Sequence, residues 1–286
     1  MSDTSLPLHL RPAHELSVQL EHGEVTSLEL IESVLNQIEK HNGELGAFVA
    51  VYGEEARKLA KSSDLARASG HAVGPFHGIP VAVKDIIDIE GRITIGGSKV
   101  WEQRRSPVTA TLVRRMLEAG MIVLGKTHTV EFAMGSFGTN RHMGSPKNPW
   151  DLGSHRAPGG SSAGTGVSVA AGMAPWGIGT DTGGSVRIPS AWCGLTGLKT
   201  TVGRVSVYGV LPLSHTLDTP GPMCRCVEDA ALLYHLIAGP DPRDPRTLIQ
   251  NVENPMPGLR HGVSGLRLAR LRDRELDPVN KELAQA

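Results

Sequence analysis

Three stretches of this sequence hold side chains suited to acyl transfer. A lysine ends an apolar run, Val81-Ala82-Val83-Lys84; a serine pair follows two glycines in Gly159-Gly160-Ser161-Ser162; and a further serine follows two glycines in Thr182-Gly183-Gly184-Ser185. A hydroxyl is a weak nucleophile until a base takes its proton. Lysine can be that base only if its pKa falls well below the free value of about 10.4, and burial among Val81, Val83, Ile86 and Ile87 would lower it. The alternative for Lys84 is an edge-strand lysine paired with Asp85 or Asp88, because buried lysines are rare unless paired. The glycines ahead of Ser185 leave backbone N–H groups able to converge on an oxygen that turns negative, and losing one such donor costs about 3 kcal/mol. An ordinary glycine turn is the alternative there.

Two other motifs point to different chemistry. Gly120-Met121-Ile122-Val123-Leu124-Gly125-Lys126-Thr127 matches the phosphate-loop pattern letter for letter. A phosphate loop needs free residues between a strand and a helix, whereas Met121–Leu124 read as the strand itself, so the match is accidental. Gly160-Ser161-Ser162-Ala163-Gly164 matches a nucleophile elbow centred on Ser162, with His215 and His235 downstream. An elbow follows a strand, and the preceding Asn148–Pro158 segment does not read as one. The serine-lysine pattern S-x-x-K is missing, and so are H-E-x-x-H and any sequence cluster of Cys and His, so no metal is expected.

The elements that must hold these residues alternate. Residues 26–42 open with Thr26 and Glu29 in a capping-box pattern and repeat Leu28, Ile31, Leu35 and Ile38 at helical spacing. Further helices are expected over 53–70, 109–120, 161–173 and 227–239, and strands over 79–89, 121–125 and 176–181. This alternation predicts an α/β fold with a mixed, largely parallel β-sheet covered by helices on both faces. Residues 238–265 hold five prolines and read as an irregular surface stretch. Residues 265–271 read as a strand, and Asp277-Pro278 as a helix start that leaves only eight residues, the pattern expected of the front part of a longer protein.

Acidic and basic side chains balance at 29 each without long runs, which argues against nucleic acid or an anionic membrane as partner and for a small, weakly charged ligand. Residues 157–180 lack charge, but their glycines and prolines make a poor membrane span. The early glutamates do not fit a signal peptide, and three cysteines without a C-x-x-C pair read as reduced thiols in a cytoplasmic setting.

The stretches GIPVAVKD, APGGSSAGTGVSVAAGM and GIGTDTGGSVRIPSAWCGLTGLKTTVGRVS, flanked by LGKTHTVEFAMG, NPWD and TLDTPGPM, resemble the amidase signature family from about residue 12 to about residue 270. The resemblance implies that residues 1–286 form the N-terminal portion of that domain, with 71–226 as the catalytic core stretch. It implies a Ser-cisSer-Lys triad in which Ser185 attacks the amide, Ser161 bridges proton transfer and Lys84 is the base. The amides of Thr182, Gly183, Gly184 and Ser185 would form the oxyanion hole, Asp181 and Arg187 would shape the loop, and Met134 and Gly135 would line the substrate pocket. No cofactor is implied; a homodimer is compatible with it. The glutaminase component of a tRNA-dependent amidotransferase, which works with partner subunits, is the alternative, and a non-catalytic scaffold of the same fold is another. Family members are longer, and their C-terminal part completes the sheet and lines the pocket.

Overall fold

The computed structural model describes residues 6–71, 73–248 and 252–267, together with 269, 272 and 281. The chain divides into two compact units, 1–256 and 257–286. In the second, the described residues make two turn hydrogen bonds, His261 N–H to Gly258 O and Leu266 N–H to Val263 O. The helix start expected at Asp277-Pro278 lies outside the described residues; of the strand expected over 265–271, residues 265–267 and 269 are described and form no strand, Leu266 N–H turning back to Val263 O instead of pairing with a neighbour.

The first unit runs α1 (Ala13–Glu21), α2 (Ser27–Leu45), β1 (Phe48–Val51), α3 (Gly53–Ala68), β2 (Pro80–Lys84), α4 (Thr111–Glu118), β3 (Ile122–Thr127), α5 (Ala163–Ala170), β4 (Trp176–Asp181), α6 (Arg187–Trp192), β5 (Thr196–Gly197), β6 (Thr219–Cys224) and α7 (Val227–Ile237). The α2 capping box forms as its sequence demands: Thr26 N–H donates to Glu29 Oε2 at 2.8 Å and Glu29 N–H to Thr26 Oγ1 at 3.1 Å. Its inward side is Leu30, Ile31, Val34, Leu35 and Ile38, with Leu28 at the margin.

The six strands lie in the order β1-β3-β2-β4-β6-β5. The central three, β3, β2 and β4, are parallel; β1 joins β3, β6 joins β4 and β5 joins β6 antiparallel. Every residue of β2, β4 and β6 is buried, as strands covered by helices on both faces must be. The fold is therefore α/β with a mixed sheet whose parallel strands occupy its centre.

Two departures from the sequence reading have local causes. The strand expected over 79–89 stops at Lys84, where Ile87 N–H turns back to Lys84 O and Leu211 N–H takes Ile86 O. Ile86 and Ile87 still reach the core, from a turn. The second departure is β6, whose Thr-Pro-Gly-Pro sequence reads as a breaker. Pro220 and Pro222 nevertheless fit. Their carbonyls face Thr200 Oγ1 and Leu198 N–H, on the side where β5 is only two residues long, so no ladder donor is missed there.

Residues 238–248 are irregular but pinned: Asp241 accepts from Ser206 Oγ at 2.8 Å and Asp244 from Val207 N–H at 2.9 Å. Among the described residues no helix is long and apolar enough to cross a membrane.

Candidate active site

Lys84 is the last residue of β2, between β3 and β4, and is wholly buried. The carboxyl ends of parallel strands are where ligands collect in open α/β sheets. Its Nζ donates to Ser161 Oγ at 2.7 Å and to Thr180 Oγ1 at 2.8 Å. Burial pulls its pKa down to about 7, against the attraction of Asp181 and Asp218.

The carboxylates that could have paired with Lys84 are taken. Asp85 lies 3.0 Å from Lys126 Nζ, and Asp88 receives both terminal nitrogens of Arg104 at 2.7 and 2.8 Å. Among the described residues Lys84 makes no ion pair, so the edge-lysine alternative fails for lack of a partner. The same contacts dispose of the phosphate-loop match. Its lysine, Lys126, is inside the protein, bonded to Asp85, Ile87 O and Thr94 Oγ1, and its Gly125 packs on the Ala50 carbonyl of β1, so neither faces a ligand.

Ser161 follows Gly160 through a cis peptide bond. Its carbonyl accepts from Val130 N–H at 3.2 Å, and its side chain is sealed from solvent. Ser162, the elbow candidate, spends its hydroxyl on the β4 backbone, accepting from Thr180 N–H and donating to Thr180 O, both at 3.2 Å. No strand precedes it, and His215 and His235 are exposed on other elements, which removes the elbow reading.

Ser185 sits in the loop between β4 and α6, at the rim of burial with 9% exposure. Its carbonyl accepts from Ser162 N–H at 3.3 Å, which joins the two serine-bearing loops. Asp181 organises the loop from within: it accepts from the N–H groups of Gly184 at 2.8 Å, Val186 at 3.1 Å and Arg187 at 3.3 Å, and from the Arg187 guanidinium at 2.9 and 3.0 Å. Burial pushes the Asp181 carboxyl up, but the guanidinium and the three amides outweigh it and hold the group below the usual carboxylate value. The Gly184 N–H, one of the four amides expected to form the oxyanion hole, is directed to Asp181 at 2.8 Å.

The two glycines differ in what they tolerate. Gly184 has φ +128°, and a Cβ there would stand 2.7 Å from Ile188 Cδ1, whereas a Cβ on Gly183 meets nothing within 4 Å. Gly184→Ala is expected to cost more than about 1 kcal/mol of stability and Gly183→Ala almost none. Denaturant midpoints of the two variants check this. Equal midpoints would mean the loop is not fixed as described.

Met134 and Gly135, with Phe132, Phe137 and Asn140, line a cavity of about 390 Å³. It adjoins the Gly159–Ser161 segment, because a Cβ on Gly160 would come within 3.0 Å of Gly135 O. Sequence reasoning missed Thr180, which accepts from Lys84 Nζ, and Asp218, which accepts from Thr182 Oγ1 at 2.5 Å and from the N–H groups of Leu213 and Ser214. A signal for Thr180 existed in the parallel pairing, since Val83 is opposite Ile178 and each chain then runs on toward the same end.

The amidase family model matches residues 29–286. The glutamyl-tRNA(Gln) amidotransferase A-subunit of Chromohalobacter salexigens is 42% identical over 279 residues, covering 98% of this chain and 57% of that protein. A solved structure described as a vestigial protein complex revealing the evolutionary origins of an s-triazine catabolic enzyme superposes with TM-score 0.86 at 38% identity, over 90% of this chain and 56% of that one. Native peptide amidase from Stenotrophomonas maltophilia gives TM-score 0.79 at 37% identity, over 85% and 50%. The chain spans about half the length of the relatives it matches.

Proposed function

The chain belongs to the amidase signature family, and from that premise we propose that it hydrolyses the carbon–nitrogen bond of a small, weakly charged amide through an ester on Ser185. The observation that carries this reading is the buried Lys84, free of any carboxylate partner among the described residues and bonded at 2.7 Å to the Ser161 hydroxyl. Ser185 Oγ attacks the amide carbonyl while its proton passes through Ser161 to neutral Lys84. The amides of Thr182, Gly183 and Ser185 receive the oxygen that becomes negative. The proton returns through Ser161 to the departing amine, and water then cleaves the Ser185 ester by the same relay in reverse. Asp181 and Arg187 keep the loop in shape, and the cavity at Met134 and Gly135 takes part of the substrate. The three free thiols are in keeping with a reducing, cytoplasmic setting.

A second reading rests on the 42% identity to a glutamyl-tRNA(Gln) amidotransferase component. There the amide is that of glutamine, and ammonia passes to a partner protein. Glutaminase activity that arises only on adding partner subunits would select it.

The test is peptide-mapped mass spectrometry after treatment with a serine-reactive fluorophosphonate. A single adduct on Ser185 is expected, lost in Lys84→Ala. An adduct on Ser162 would restore the elbow, and no adduct on a chain with a native circular dichroism spectrum would overturn the reading.

A further inference from the structure

The sequence separates its metal-ligating side chains too widely for any motif to register: His14 and Cys226 stand 212 positions apart. Folding brings the N-terminal ends of α1 and α7 together. His14 Nδ1, Cys226 Sγ and Asp229 Oδ1 then all lie within 4.8 Å of one another, with Nδ1 2.8 Å from Oδ1 and 3.8 Å from Sγ. We propose that these three side chains are a binding site for one thiophilic divalent cation, zinc, that clips the first helix to the last.

The donor set is the reason for zinc. A thiolate, an imidazole and a carboxylate are its usual ligands, at about 2.0–2.3 Å, and tetrahedral geometry then spaces the donors by about 3.3–3.6 Å. The two separations that involve His14 reach that spacing with shifts of about half an ångström, and the Cys226–Asp229 one with a shift of up to about 1.5 Å. Cys226, the N-cap of α7, and Asp229 in its first turn are three residues apart at one helix end, and His14 comes from the N-terminal end of α1.

Two further features set the cluster apart from ordinary helix capping. Cys226 occupies the N-cap of α7, where serine, threonine or aspartate is favoured, and its side chain makes no cap hydrogen bond. Asp229 turns away from its own helix end and is held by Ala13 N–H at 2.8 Å and His14 N–H at 2.9 Å. Those amides would orient the carboxylate as an outer shell does in metal sites.

His14 and Cys226 are partly exposed, which leaves a path for the ion and a fourth position for water. Cys193 and Cys224 are fully buried, so Cys226 is the thiol within reach. On entry of the ion the Cys226 thiol and His14 Nδ1 each lose a proton to solvent. One thiolate and one carboxylate then balance the double charge.

The full chain, stripped with a chelator, is dialysed against zinc and analysed for metal. About one zinc per chain is expected, with a rise in Tm. Cys226→Ser keeps the fold, since serine is a good N-cap, but should lose zinc affinity at least about tenfold and lose the Tm response. Cobalt(II) in place of zinc should give a thiolate-to-metal charge-transfer band in the parent and none in Cys226→Ser. Zinc bound equally by both proteins, or less than half an equivalent on natively folded parent, would overturn the proposal.

Discussion

Replacing Lys84 with methionine is expected to lower the rate of amide hydrolysis at least about a hundredfold, the usual cost of losing a general base, while making the fold more stable. The two effects share one cause. In the folded chain burial lowers the Lys84 pKa to about 7, whereas the unfolded chain keeps the ordinary 10.5. Between those values the unfolded state holds the extra proton, so this group's contribution to stability rises with pH across that window. Its penalty is complete below about pH 7 and gone above 10.5.

At neutral pH the shift corresponds to about 4 kcal/mol of destabilisation, from which the hydrogen bonds lost at Ser161 and Thr180 must be subtracted. A net gain of about 1–3 kcal/mol remains for Lys84→Met, shrinking as the pH rises toward 10.5. Urea midpoints of parent and variant at neutral and alkaline pH measure it. Hydrolysis by the parent should climb as pH passes through about 7, where Lys84 sheds its proton. A variant less stable than the parent at neutral pH, or a parent rate flat across that range with chemistry limiting, would remove Lys84 as the base.

Lys126→Met is expected to have the opposite signature, a loss of about 3–5 kcal/mol of stability, because it leaves Asp85 charged, buried and alone. Burial lowers the Lys126 pKa and raises that of Asp85, which by itself favours neutral groups. What favours the ion pair is the mutual attraction of Lys126 Nζ and Asp85 Oδ1 at 3.0 Å, the Ile87 O and Thr94 Oγ1 acceptors on Nζ, and the Ile95 N–H that Asp85 Oδ2 accepts. Adding Asp85→Asn to Lys126→Met should restore part of the loss by removing the stranded charge. A double variant no more stable than the single one would show that the pair is not ionised. Two buried lysines at neighbouring strand ends thus differ in kind: one is matched to a carboxylate, the other to hydroxyls.

That difference marks the limit of what the sequence discloses. Lys84 and Lys126 both sit in apolar, β-branched runs and both have acidic residues nearby in sequence or space. Local pattern cannot tell which lysine takes Asp85. The assignment depends on β2 and β3 running side by side in a register that sets Val83 against Lys126. Elements governed by local rules were legible: α2 from its capping box, α3 and α4 from the glycines that end them, β4 from its bounded apolar run. Those governed by distant partners were not. β6 is built on prolines that only a two-residue neighbour excuses, and α1 has a short amphipathic pattern whose N-terminal amides are satisfied from α7.

The Ser185 loop lies between these cases, since its glycines were readable as a turn. Which glycine is strained and which is open depends on Ile188, and the work of Asp181 on the Gly184 amide needs three-dimensional placement.

The bond between α1 and α7 also sets a timetable for a chain emerging from the ribosome. The amides of Ala13 and His14 find their acceptor, Asp229, only 215 or more positions later. At about 5–20 residues per second, the first helix waits roughly 10–40 s for it. Through that interval Leu16 and Leu20, buried in the finished fold, belong to a helix that lacks its final partner. Closure over so long a span comes late, because its entropy must be overcome before the contact repays it. Production of this protein in cells should therefore be sensitive to chaperones that hold nascent apolar segments, even for variants whose finished fold is more stable than the parent.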